Sequence, residues 1–228
     1  MNNSLLNLLH LSDPTLPIGG FSHSAGLETY VQAGSVHNKE TAKEYIKGML
    51  FSNIQHSDAA LLSLAFDAAV ENNIDEICEL DQLCHAIKLP EEIRIASTKL
   101  GIRLHKIFIH NIVSDLTISF SDMIESKIIK PHYCIAFALY AVSLKLNKSE
   151  ALSGFYYNAL TAMVNNCVKL IPLGQQDGQK LLYTLMNLLN ELVTKSLNPD
   201  QRSIGISCAG FDIRSMQHEQ LYSRLYMS

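Results

Sequence analysis

Leu152-Ser-Gly-Phe-Tyr-Tyr-Asn-Ala-Leu-Thr-Ala-Met163 carries the clearest periodic signal in the chain. Leu152, Phe155, Tyr156, Ala159 and Met163 fall on one stripe of a 3.6-residue helix. Downstream, Gln179 to Lys195 carries Leu181, Leu182, Leu185, Leu188, Leu189 and Leu192. Apolar on so wide an arc, that segment reads as one helix, central or at an interface. Upstream, His132 to Leu146 reads as a helix after Pro131. Its apolar run from Cys134 is broken by Ser143 and ended by Lys145, far short of the roughly 20 residues that cross a bilayer.

The remaining segments follow the same period. Leu5, Leu6, Leu8 and Leu9 predict a short helix, and Asn38 opens another with Ala42, Tyr45, Ile46, Met49 and Asn53 on one face. Ser57 and Asp58 restart the chain ahead of Leu61, Leu64, Ala65 and Ala68, and Ile74 to Ile87 forms a further helix. Pro90, Glu91 and Glu92 suit the first turn of the next, where a missing amide costs nothing and acids complement the dipole. That helix runs through Ile93, Ala96, Leu100, Leu104 and Ile107 to about His110. Leu116-Thr-Ile-Ser-Phe120 alternates like a strand but has no comparable run to pair with, so it reads as loop or helix start before a helix over Ser121–Lys130. With no repeat and no linker, residues 1–228 are expected to form a single compact all-α domain of about ten helices, with 205–228 as a C-terminal tail.

Of the 228 residues, 47% are hydrophobic and 18% charged, so some surface is expected to be hidden against a partner. A net charge of −4 gives no broad footprint for nucleic acid or anionic membrane. The five cysteines form no CxxC pair, and an odd number argues against a disulfide framework. Reduced thiols fit a cytoplasmic protein. MNNSLLNLLHLSD has no basic leader, so it does not read as a signal peptide.

Three punctuated stretches stand out from this helical background. In Ser12–Glu28, Pro14 and Pro17 fix φ, Gly19 and Gly20 permit positive φ or close backbone approach, and Ser22 or Ser24 is placed to cap a helix running to about Gln32. The stretch matches neither phosphate-loop pattern, and adjacent Ser22, His23 and Ser24 rarely hold nucleophile-and-base geometry. In Val168–Gln179, Pro172 ends one helix, Gly174 permits a turn, and Gln175, Gln176 and Asp177 restart the chain. Lys169 stands just before that bend in an apolar context, either snorkelling to water or facing a partner. Asp212 to Tyr226 is too polar to extend the core by itself and is expected to be poorly ordered alone, yet Arg214, Tyr222, Arg224 and Tyr226 are the residue types that anchor interfaces. Lys99, Arg103, Lys106 and His110 share a face that reads as solvated or as a basic strip. Cys78, Cys84 and His85 are the densest set of metal-ligating types, at a spacing that is not a familiar zinc pattern.

Leu-Pro-Ile-Gly-Gly-Phe-Ser-His-Ser at 16–24 followed by Gly-Leu-Glu at 26–28 resembles the signature of the urease accessory protein F (UreF) family, carried here by Pro17, Gly19, Gly20, His23 and Gly26. Lys169-Leu-Ile-Pro172-Leu-Gly174-Gln175-Gln176 is similar to the family's second signature, and His218-Glu-Gln-Leu-Tyr222-Ser-Arg224-Leu to its tail. A weaker likeness covers Arg94, Ser97, Gly101 and Arg103. The resemblance implies an all-α, dimeric, non-enzymatic chaperone that helps deliver nickel to apo-urease. Its implied partners are the accessory protein UreD/UreH and the GTPase UreG, with a further accessory protein, E, supplying nickel. No cofactor is tightly bound in this reading; nickel is handled by the assembled complex. It places Glu28 and Lys169 on the GTPase-facing surface, makes Tyr157 a dimer or partner contact, and docks Arg214, His218, Tyr222 and Arg224 on UreD/UreH. Tyr226-Met227 stands where the family often ends in Phe-Arg. Two other classes are a regulator of the partner's GTP hydrolysis using Arg94, Arg103 or Arg202 as a finger, and a metal-dependent enzyme built on Cys78, Cys84 and His85.

Overall fold

The computed structural model describes residues 3–20, 23–206, 208–222 and 224–227. Its helices, in chain order, are α1 (Ser4–Leu11), α2 (Leu27–Gln32), α3 (Lys39–Gly48), α4 (Asp58–Val70), α5 (Ile74–Ile87), α6 (Glu91–Phe108), α7 (Asp115–Glu125), α8 (Tyr133–Ser143), α9 (Lys148–Leu170), α10 (Gln175–Met186), α11 (Leu189–Ser196) and α12 (Ala209–His218). A π-helical turn over Met49–Asn53 and a 3₁₀ turn over Ile54–His56 join α3 to α4. No strand occurs among the described residues, so the fold is all-α.

Caps fix several starts. Asn38, Ser114 and Asn147 each form a reciprocal capping box with the residue three positions on, and the Asn73 side chain accepts from the Glu76 amide. Such caps contribute about 1 kcal/mol each.

The centre is α8 packed on α4. Every residue from Cys134 to Ala141 is buried, and α4 buries nearly all of Ala59–Ala69. A helix apolar all round has no face to offer water and must be enclosed by other helices. α6, α7 and α9 also pack on α8, while α5 and α9 pack on α4. The start of α8 is held by Asp81 of α5, whose two oxygens accept from the His132 amide at 2.7 Å and the Lys130 amide at 2.9 Å. Burial raises the Asp81 carboxyl, against the pull of these amides.

Three local expectations change. Leu116–Phe120 is the first half of α7, because the Ser114 capping box starts the helix there and Leu116 and Phe120, four apart, reach the core. Residues 179–195 are two helices, since α10 follows α9 and α3 whereas α11 follows α9 and α4. Near the first loop, Gly26 is the N-cap of α2, so Ser24 sits two residues ahead of the capping position and Ser22 lies outside the described residues. Among the described residues, no helix is long and apolar enough to cross a membrane.

Candidate partner-docking site

The punctuated loop between α1 and α2 is shaped by close approaches. Gly19, at φ 84°, leaves no room for a Cβ beside the Arg103 guanidinium, which donates from Nη1 to the Ile18 carbonyl at 2.9 Å. Asn166 of α9 donates to the His23 carbonyl at 2.9 Å. Burial lowers the His23 imidazole, with Lys99 and Arg103 adding to the effect. Gly26, at φ 78°, would put a Cβ 2.7 Å from Ser215 Oγ on α12. Left-handed backbone and tail contact both demand glycine there.

Two residues on, Glu28 is 5% exposed and binds the tail. Its carboxylate accepts from the Leu225 amide at 2.7 Å and the Tyr226 amide at 3.0 Å, and it meets His218 Nε2 at 2.9 Å. His218, 1% exposed, places Nδ1 2.7 Å from Glu92 of α6. Each ring nitrogen thus stands at hydrogen-bond distance from a carboxylate oxygen of a different helix. Arg224 closes the set with Nη1 2.5 Å from the second Glu92 oxygen. Lys169, exposed in the last turn of α9, lies 5.9 Å from the centroid of the buried Tyr226 ring. Burial first, then the Glu28 charge, raises the Tyr226 phenol.

The three signatures, separated by most of the chain, thus meet at one seam. The tail is attached there despite its polarity, because paired charges supply what apolar area does not. Glu28 and His218 lie inside the seam in this arrangement, behind the surface where they were expected. Tyr222, Leu225 and Met227 point outward and are strongly exposed. Arg214 stacks 5.9 Å from the Tyr30 ring and donates to Gln217. Pro172, Gly174 and Gln175 are exposed at the α9–α10 bend. Gly174 has φ −69° and open space around it, so the turn does not use its conformational freedom. Tyr157 is apart from the seam, beside α1 in a depression with Leu8, Leu9, Pro14 and Gly154.

Glu92 is the residue that sequence reasoning missed. In sequence it reads only as a complement to the helix dipole, and the available signal is the tail's His218 and Arg224, side chains that pair with acids.

The finger candidates are engaged within the chain. Arg94 donates to the Lys88 and Leu89 carbonyls, Arg103 to that of Ile18, and Arg202 pairs with Asp200. Cys78, Cys84 and His85 do not converge, because Cys84 lies roughly 240° round the helix from Cys78, and His85, on the same face as Cys78, stands about 10.5 Å further along the axis. Cys78 meets Gln82, the His85 ring meets His132 and Lys130, and Cys84 turns inward to Cys134.

The family model for UreF matches residues 36–186, from the turn before α3 to the end of α10. The urease accessory protein UreF of Actinobacillus pleuropneumoniae serotype 5b is 49% identical over 221 residues, which is 97% of either chain. That of Haemophilus influenzae strain Rd is 48% identical over 231 residues, 100% of this chain and 98% of its own. At greater distance, that of Bacillus sp. TB-90 is 33% identical over 226 residues, 99% of this chain and 100% of its own. These alignments run through loop, bend and tail alike, and the chain belongs to the UreF family of urease accessory proteins.

Proposed function

We propose that the chain is a scaffold in urease maturation, holding UreD/UreH and the GTPase UreG in fixed relation so that nickel reaches apo-urease within an assembled complex in the cytoplasm. The observation that carries this reading is the seam, where Glu28 and Glu92 hold the tail so that Tyr222, Leu225 and Met227 face outward beside Lys169. Exposed aromatic and apolar side chains beside a cation are the composition of interface anchors. In this scheme Tyr222, Arg224 and Arg214 contact UreD/UreH, Lys169 contacts UreG, and Glu28 and His218 act by fixing the tail. The depression at Tyr157, with Leu5, Leu6 and Leu9 exposed nearby on α1, serves as the homodimer face.

Engagement of Arg94 and Arg103 with backbone carbonyls favours the scaffold over a finger built on either, whereas Arg202, 91% exposed and paired with Asp200 two positions away, is left to the GTP-turnover test. Co-purification with UreD/UreH and UreG tests it, using the full chain, a truncation before Asp212, and Lys169→Ala. The truncation is expected to lose UreD/UreH, and Lys169→Ala to lose UreG with UreD/UreH retained. Normal complexes from both variants would remove the assignment, and stimulation of GTP turnover abolished by one arginine substitution would install the regulator in its place.

A further inference from the structure

We infer that Asp58, Cys84 and Cys134 form a binding site for a thiophilic divalent transition-metal cation, entered from the cavity that Asp58 lines. The inference is independent of the scaffold reading. α4, α5 and α8 each contribute one donor, and a carboxylate oxygen and the two sulfurs all lie within 4.8 Å of one another. The Cys84 and Cys134 sulfurs are 3.7 Å apart. Metal–sulfur bonds of about 2.3 Å at a tetrahedral angle set two sulfurs roughly 3.8 Å apart, so the pair already stands at ligand spacing. Two soft sulfurs with one oxygen select a zinc-like ion over magnesium or calcium.

Access and charge fit as well. A cavity of about 220 Å³ between α4, α9 and α12 has Asp58, Lys88, Asn166 and Phe211 in its wall, while both cysteines are buried behind Asp58. Three protein donors leave the cavity side as the fourth position, open to water. Lys88 holds both Asp58 oxygens, at 2.9 and 2.8 Å. Ser57 Oγ donates to Asp58 as well, at 3.2 Å, so the carboxylate is held in place at the cavity wall beside the two thiols. As the cation enters, each thiol releases its proton to solvent and forms one metal–sulfur bond. One Asp58 oxygen turns to the metal and the other keeps Lys88. The divalent charge cancels the two thiolates, as Lys88 cancels Asp58, and the buried net charge is unchanged.

The test is anaerobic titration of the reduced, chelator-treated full-length chain with Co²⁺, followed by near-ultraviolet sulfur-to-metal charge transfer and visible ligand-field bands. One equivalent is expected to bind with a thiolate band that Zn²⁺ abolishes. Cys84→Ser and Cys134→Ser are each expected to lose the band or weaken binding by more than the ~10- to 100-fold that loss of an outer-shell partner costs, while Cys208→Ser leaves it intact. Should the variants misfold, alkylation of the unaltered chain in mild denaturant decides, with Zn²⁺ expected to protect Cys84 and Cys134 selectively over Cys78 and Cys208. Absence of a thiolate band, a band that depends on Cys208, or lack of selective protection overturns the site.

Discussion

The α4–α8 centre and the tail seam are both buried, but they are held by different forces. In the centre, apolar side chains pack on every side, with Phe137 against Tyr133 and Phe155 at ring separations of 5.8 and 5.4 Å. In the seam, Glu28 and Glu92 grip His218, Arg224 and two backbone amides. The seam also contains Thr29 Oγ1, Ser215 Oγ, Glu219 Oε1 and Tyr226 OH, all buried with no hydrogen-bond partner among the described residues. Satisfied polar groups are the rule in a finished core. The centre leaves the Tyr133 hydroxyl unpartnered among the described residues as well, so what separates the two regions is that the centre rests on apolar packing and the seam on a few charged contacts.

The contrast can be broken from the core side first. Phe137→Ala removes a fully buried ring and is expected to cost about 3–5 kcal/mol in denaturant unfolding, taking seam and centre down together. Glu28→Ala should act on the seam alone. It leaves His218 and two amides without their acceptor, a loss of about 3 kcal/mol locally. Amide exchange and proteolysis should then rise across 209–226 while α4 and α8 keep their protection; a uniform rise would erase the distinction.

Acid provides the third comparison. Burial, with help from Lys88, drives His132 down to about 3 from an ordinary value near 6.5, and burial lowers His105 as well. Below pH 6.5 the unfolded chain takes up protons that the folded core refuses, so stability falls as pH drops toward 3. The slope is about 1.4 kcal/mol per pH unit for His132 across that window, and His105 acts in the same direction. His132→Asn should flatten the stability–pH curve in that window, and an unchanged curve would show that the imidazole titrates freely. Gly26→Ala should cost about 1–2 kcal/mol from left-handed backbone and loosen the tail through Ser215; Ser215→Ala should restore the contact part only. Gly174→Ala should stay within about 0.5 kcal/mol, because φ there is ordinary and the space open.

What the sequence disclosed follows the range of the forces involved. α5 runs over Ile74–Ile87 as its pattern indicates, and Asn38 caps α3 as expected, since both are settled within a few residues. The break between α10 and α11 carries no glycine or proline; it reflects which neighbours each half packs on. Alternation at Leu116–Phe120 satisfied two periods at once, and only the Ser114 cap decides it. Loop, bend and tail were each recognisable, but their meeting was not, because Glu28 and Tyr226 are 198 positions apart and nothing local links them. A separation of 50 positions likewise hid the pairing of Cys84 with Cys134, which displaced the nearer grouping with Cys78 and His85.

The long span of the Glu28 clamp also sets an order in time. Glu28 leaves the ribosome early, and at about 5–20 residues per second the segment that satisfies it follows on the order of 10–40 s later. The helical body can close in that interval, while the outward face of Tyr222, Leu225 and Met227 cannot form until residues 222–227 have been made. A chain interrupted before residue 224 would therefore carry the α4–α8 core with the Glu28 carboxylate still lacking the Leu225 and Tyr226 amides.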